Sequence, residues 1–160
     1  MNSGKETIGP WRARCIVEKF RPGGEEPYER LESRGNLALN EGLNYIWERV
    51  CAGTGAALDA ANAHIGVGDG TAAATADQTG LQGTNKLYKG MDSGYPIHGT
   101  DQKVTLKATF GTDEANFAWE EWSIANGGSD AAVNLNRKVE SMGVKPSGEV
   151  WTITCVLTLQ

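Results

Sequence analysis

Hydrophobic and polar residues alternate with a period of two along much of the chain, and this pattern predicts β-strands. The alternation is most regular over residues 11–20, 104–110 and 151–159, where apolar side chains fall on one face and polar ones on the other. Shorter or less regular strands are predicted at residues 28–33, 64–68, 86–91, 117–124 and 133–139. Strands at this spacing, joined by turns, indicate an antiparallel sheet protein.

One segment has helical periodicity instead. Its apolar residues recur at spacings of three and four, and they are Leu39, Leu43, Ile46, Trp47 and Val50. The pattern predicts one amphipathic helix near residues 40–51 within the segment 36–51, with Asn40 or Asn36 as the N-cap and Gly53 after its end. A stripe of this kind normally packs on a sheet, so we expect it to face the body of the protein.

Composition supports a β fold. The 160 residues include 21 glycines and 5 prolines without a Gly-X-Y repeat, which indicates many tight turns and excludes collagen. The sequence predicts a mainly β fold: an antiparallel β-sandwich or jelly-roll-like body with one amphipathic helix and long loops. Residues 1–10 are expected to form an N-terminal arm, and residues 11–160 a single β-rich domain.

Two patterned strands raise a question of register. Trp119 and Trp122 fall on opposite faces of the strand at 117–124 unless a bulge at Glu120-Glu121 corrects the alternation. Arg137 falls on the buried parity of the following strand. At least three of the five tryptophans are expected in the core, although exposed coplanar aromatic rings on a β face would instead favour sugar binding.

Two long segments have few apolar anchors. The loop at residues 69–83 has only Leu81, and the arm Met1–Pro10 has Ile8. Because little burial offsets the entropy lost on ordering, we hypothesise that both are flexible in the free protein and become ordered against neighbouring subunits.

The three cysteines are odd in number and lack CxxC spacing. Cys15, Cys51 and Cys155 are therefore expected to be reduced thiols in the core. The N-terminus has no apolar leader segment and no stretch is long and apolar enough to cross a membrane, so we expect synthesis and folding in a reducing cytoplasm.

No pattern of catalytic or ligand-binding residues is complete. The run Gly66–Thr71 (GVGDGT) lacks the lysine of a phosphate loop. The candidate metal ligands His64, His98, Asp69, Asp77 and Asp92 are scattered. Glu120 and Glu121 are adjacent, hence on opposite faces of a strand, and no GxSxG occurs. We predict no catalytic, cofactor-binding or metal site, and therefore no enzyme.

Charge argues against nucleic acid as a partner. The formal net charge is −5, and the basic cluster of Arg12, Arg14, Lys19 and Arg21 is interleaved with and followed by glutamates.

Several phrases together resemble a group of small structural proteins of tailed bacteriophages. They are NLALNEG at residues 36–42, IGVGDGT at 65–71 with the polar stretch to Leu81, ATFGTDEAN at 108–116, and the closing LNRK and WTIT segments. The resemblance covers about residues 36–160. The members of this group resemble both head decoration (cement) proteins and tail-associated proteins. The family is not defined by an active site, so no functional residue is carried over.

The resemblance implies a non-enzymatic virion protein on the outer capsid surface. As a capsid decoration protein it would bind and stabilise the major capsid protein shell, contacting neighbouring copies of itself as a homo-oligomer, for which a trimer is one arrangement. The alternatives are a phage tail, fibre or baseplate component, or a carbohydrate-binding recognition module.

Overall fold

The structure is a computed structural model that describes residues 11–159, and this part of the chain forms ten strands and one helix. The first five elements are β1 (Trp11–Phe20), β2 (Glu29–Arg34), β3 (Leu37–Ala38), α1 (Asn40–Ala52) and β4 (His64–Gly68). The remaining six are β5 (Lys86–Gly90), β6 (Ile97–His98), β7 (Lys103–Phe110), β8 (Ala118–Ala125), β9 (Asn136–Val144) and β10 (Val150–Leu159). The predicted mainly β fold with one helix is confirmed. The expected arm at residues 1–10 lies outside the described residues.

The strands form two five-stranded antiparallel sheets. The first has the order β2-β1-β10-β7-β6, and the second has the order β3-β9-β8-β4-β5. In the first sheet β10 lies between β1 and β7, so the first and last strands of the described chain are neighbours. Such pairing between distant parts of the sequence is typical of a β-sandwich.

Apolar side chains from both sheets meet in one core. Aromatic rings connect the layers, because Trp119 of β8 makes edge-on contacts with Phe110 and Trp151 of the first sheet, at centroid distances of 4.8 and 5.0 Å. Trp122 is also buried. The expectation of at least three core tryptophans is confirmed by Trp119, Trp122 and Trp151.

A bulge between Trp119 and Glu121 lets both tryptophans of β8 face the core. The pairing of β8 with β9 shifts register between these two residues, as the sequence pattern required. Trp119 and Trp122 both belong to the core, while Glu121 is buried on the other face of the strand, under the loop at residues 69–83.

Cys15 and Cys155 form a disulfide, so the expectation of reduced core thiols is wrong for this pair. The two residues are directly opposite each other in the pairing of β1 with β10. The alternation placed both on inward-facing positions, but only the strand pairing brings them together. Cys51, the free cysteine, is exposed at the end of α1 and is not a core thiol either.

Helix α1 agrees with the predicted boundaries to within one residue, whereas two strands differ from the prediction. The helix spans Asn40–Ala52, and residues 37–38 before it pair with β9 as the short strand β3. The N-cap is Leu39, which makes no side-chain capping bond, so the expectation of Asn40 or Asn36 is wrong, while Gly53 ends the helix with a φ of 67° as expected. The pattern at 133–139 marked only the first part of β9, which extends to Val144, and β6 lies in a part of the chain for which no strand was predicted.

Within residues 11–159, no helix has the length and apolar character required to cross a membrane.

Candidate functional site: the outer face of the helix and its groove

Helix α1 packs on the body through the side that carries Gly42, Tyr45 and Ile46. Gly42 lies so close to the segment before β9 that a Cβ atom there would be 2.5 Å from the Cα atom of Leu135. Next to it, a Glu41 carboxylate oxygen accepts the backbone N–H of Asn134 at 2.9 Å. A glycine and a hydrogen-bonded glutamate therefore fix the orientation of the helix.

Three of the five residues of the apolar stripe face solvent, whereas Leu39 is fully buried and Ile46 packs against the core. Trp47 is 66% exposed, Val50 70% and Leu43 42%. At 100° per residue these three side chains lie within about 60° of one another around the helix. The expectation that the stripe faces the body of the protein therefore holds for Leu39 and Ile46 and is wrong for the other three, because the close approach at Gly42 sets which side of the helix lies against the body.

An apolar groove of about 320 Å³ lies beside this stripe. Its walls are α1, the loop that follows it, and the ends of β1, β7 and β10. The lining residues are Trp11, Tyr45, Ile46, Arg49, Val50, Ala57, Leu58, Gln102, Val104, Leu135, Leu157 and Leu159. Val50 belongs to both the stripe and the groove, so the two form one continuous surface.

The polar groups around the groove are engaged within the chain. The Arg49 guanidinium donates to the carbonyl oxygens of Gly53 at 2.7 Å and Gly55 at 2.9 Å, beyond the helix C-terminus. The Tyr45 hydroxyl donates to the carbonyl oxygen of Ala56 at 2.6 Å, and burial raises the pKa of this phenol. These contacts hold the loop against the helix and leave the groove surface apolar.

The glycine-rich run at residues 66–71 has a structural role. Glu121, buried under it, accepts the backbone N–H groups of Gly70 at 3.2 Å and Gly83 at 2.7 Å. A Cβ atom at Gly70 would lie 2.5 Å from the Glu121 carboxylate. Glycine is needed there because the carboxylate occupies the space where a side chain would be.

Arg137 completes this buried cluster. Its Nε donates to Glu121 at 2.6 Å, and its Nη1 donates to the carbonyl oxygen of Ala72 at 2.9 Å and to Gln78 Oε1 at 3.0 Å. Both charged side chains are fully buried. The pair fastens the loop at both ends, so the polar partners that the hypothesis of a flexible 69–83 loop assigned to neighbouring subunits are present within the chain itself.

Tyr88 fixes the same loop from the other side. Its hydroxyl accepts the N–H of Leu81 at 3.2 Å and lies 2.9 Å from a carboxylate oxygen of Asp130. Burial, and secondarily the Asp130 carboxylate, raises the pKa of this phenol. Leu81 itself is buried. This one apolar anchor, together with the hydrogen bonds of Tyr88, holds the loop against the second sheet.

The candidate metal ligands form no cluster, and three of them, Asp69, Asp92 and His64, have partners nearby. Asp69 accepts the backbone and side-chain N–H groups of Asn85, and Asp92 accepts the N–H and hydroxyl of Thr109. His64 Nδ1 lies 2.7 Å from the carbonyl oxygen of Asn62. Across the described residues, no group of three or more His, Cys, Asp or Glu side chains is arranged to hold a metal ion.

Sequence reasoning identified the residues of the stripe but expected all of them to face the body of the protein. It missed the groove, because the groove is built from strand ends that are far apart in the sequence. One available signal was Gly42 in the first turn of the helix, since a glycine inside a helical pattern often has a packing reason.

Comparisons of the chain with known protein families, with curated proteins and with solved structures gave no match.

Proposed function

We propose that this chain is a non-enzymatic structural protein of a bacteriophage virion, a head decoration protein that binds and stabilises the shell of the major capsid protein. The observation that carries the proposal is the outward-facing stripe of α1. A helix that leaves a tryptophan and a valine in water beside an apolar groove favours a protein that works by assembly, because exposed apolar patches commonly mark interaction surfaces.

The body of the protein also suits a structural role. The first and last strands are joined by the disulfide Cys15–Cys155, and the longest loop is fastened by Glu121 and Arg137. Both devices stabilise a fixed shape that can be presented to neighbouring subunits. The sequence phrases similar to phage structural proteins supply the virion part of the proposal.

The alternative function, that of a carbohydrate-binding recognition module, is less well supported. Three of the five tryptophans are buried, which leaves Trp47 exposed and Trp11 half-buried at the groove. A sugar platform requires several exposed rings, and Trp47 lies on the helix whereas Trp11 lies on β1. A tail, fibre or baseplate component remains the second candidate, since the assembly surface suits it equally.

Quantitative mass spectrometry of purified virions tests the proposal. The expected result is a fixed ratio to the major capsid protein, close to one or a few copies per capsomer, and removal of the protein should lower the temperature at which heads break open. A much lower ratio would favour the tail component. Absence of the protein from virions would overturn both candidates.

A further inference from the structure

We propose that the α1 stripe and its groove form a two-fold interface with a second copy of this chain. This inference rests on the assembly role proposed above, and it adds the surface and the partner. The capsid contact would then use a different part of the molecule.

The shape of the surface favours a second copy as the partner. Trp47 projects from the helix, and one turn further along Val50 forms part of the groove wall. An isologous interface can pair a projection with a recess on the same face. The two-fold axis places the projection of each copy against the recess of its partner. Another kind of partner would have to supply both complementary shapes itself.

The exposed apolar area is sufficient for the centre of such an interface. Leu159, at the groove end of β10, is 49% exposed and adds to Leu43, Trp47 and Val50. Since aromatic and aliphatic side chains of this kind bury about 100–250 Å² each, the four leave roughly 300 Å² of apolar surface in water on each copy. Two copies would bury about 600 Å² of this surface, which is half of the roughly 1,200 Å² at the lower limit of stable interfaces, and the exposed polar residues that flank the stripe would form the rest of the interface as its rim.

The charges of this face permit self-association. Arg49 is the charged residue among those lining the groove, and its guanidinium is directed to backbone carbonyl oxygens of its own chain. The other residues that line the groove are uncharged, so the two copies would meet mainly through uncharged side chains. The net charge of −5 per chain adds a long-range repulsion that salt screens, because the Debye length at physiological ionic strength is about 8 Å. Association should accordingly strengthen with added salt.

The experiment compares two valines that are exposed to nearly the same extent. Val50 in the stripe is 70% exposed, and Val144 at the end of β9 is 67% exposed and lies outside the groove. Light scattering and sedimentation velocity of the full chain should give twice the 17.1 kDa chain mass for the wild type and for Val144→Lys. Val50→Lys should give a monomer, and Trp47→Ala should weaken association by roughly tenfold or more. Circular dichroism should show all variants folded, since the substituted side chains are exposed.

Three results would overturn the pairing: a monomeric wild type, a trimer, or a Val50→Lys variant that associates as the wild type does. If the wild type is monomeric and Ile8→Lys lowers its thermal midpoint, the N-terminal residues of the same chain occupy the groove instead. Because all of these measurements use the isolated chain, they are separate from the presence of the protein in virions. Failure of the pairing and failure of the proposed function can therefore be distinguished.

Discussion

Glu121 accepts a hydrogen bond from Arg137 at a distance of 2.6 Å, and both side chains are fully enclosed between the second sheet and the loop at residues 69–83. The carboxylate also receives backbone N–H groups from both ends of the loop. The pair thus provides the loop with the polar partners that its own sequence lacks. Its effect depends on both members, because a buried charge without its partner is strongly unfavourable.

Replacing Glu121 with glutamine should destabilise the protein and release the loop. Breaking a buried ion pair from one side typically costs about 3–5 kcal/mol, and we expect a loss of this size in the free energy of unfolding measured with urea. Limited proteolysis should then cleave the chain within residues 69–83. The neighbouring Glu120→Gln is the control, since Glu120 bonds to Ser141 at an exposed position, and it should change the unfolding free energy little. Equal effects of the two variants would contradict the role of the buried pair.

The disulfide predicts one reactive thiol in the folded protein. Because Cys15 and Cys155 are buried, the discriminating measurement is a thiol titration of protein unfolded without reductant, which should detect Cys51 alone, and three thiols should appear after reduction and unfolding. Because the bond joins residues 140 positions apart, the double variant Cys15→Ala/Cys155→Ala should lose about 2–4 kcal/mol of stability. Cys51→Ser should match the wild type. Three thiols in protein that is unfolded but not reduced would show that the bond does not form.

Gly42→Ala should be destabilising although alanine is the better helix former. In an exposed helix the change would stabilise by about 1 kcal/mol, but here the new methyl group would be 2.5 Å from the Cα atom of Leu135. The helix must move away or tilt, so we expect a lower thermal midpoint and altered exposure of Trp47. Asn44→Ala, at an exposed position of the same helix, should leave the midpoint unchanged or raise it slightly. A stabilised Gly42→Ala protein would contradict the close contact.

Acid should weaken the contact between Glu114 and Lys89. The Lys89 ammonium, and then the N–H of Gly111, hold the pKa of the Glu114 carboxyl below its usual range. A carboxyl with a lowered folded-state pKa contributes stability that is complete above the unfolded value of about 4.3 and is lost as the pH falls through the folded value. Since both side chains are about one-third exposed, the contribution is at most about 1 kcal/mol.

The measurement is the free energy of unfolding of wild type and Glu114→Gln between pH 7 and pH 3. The difference should be largest at neutral pH and should shrink below about pH 4.3. Lys89→Met should reproduce this behaviour because it removes the main partner. A difference that stays constant with pH would mean that the pair does not contribute.

Residue patterns along the chain are enough to predict most of the local elements of this protein. Alternation along β1, β7 and β10 identified which side chains face the core, because the period of two is a property of the strand alone. The same reasoning required a bulge at Glu120-Glu121 to bury Trp119 and Trp122, and the register shift is found there. Arg137 was likewise placed on the buried side from its parity.

The tertiary structure decided how these elements meet. Cys15 and Cys155 form a bond because β1 and β10 are neighbours in the first sheet, a pairing that strand periodicity does not encode. The 69–83 loop is fastened because Glu121 and Arg137 reach it from strands far along the chain. The helical period showed that α1 has one apolar stripe, but the direction of that stripe depends on the contact between Gly42 and Leu135. A hydrophobic pattern specifies which side chains share a face, and only the packing of the whole chain determines whether that face is covered by the protein itself.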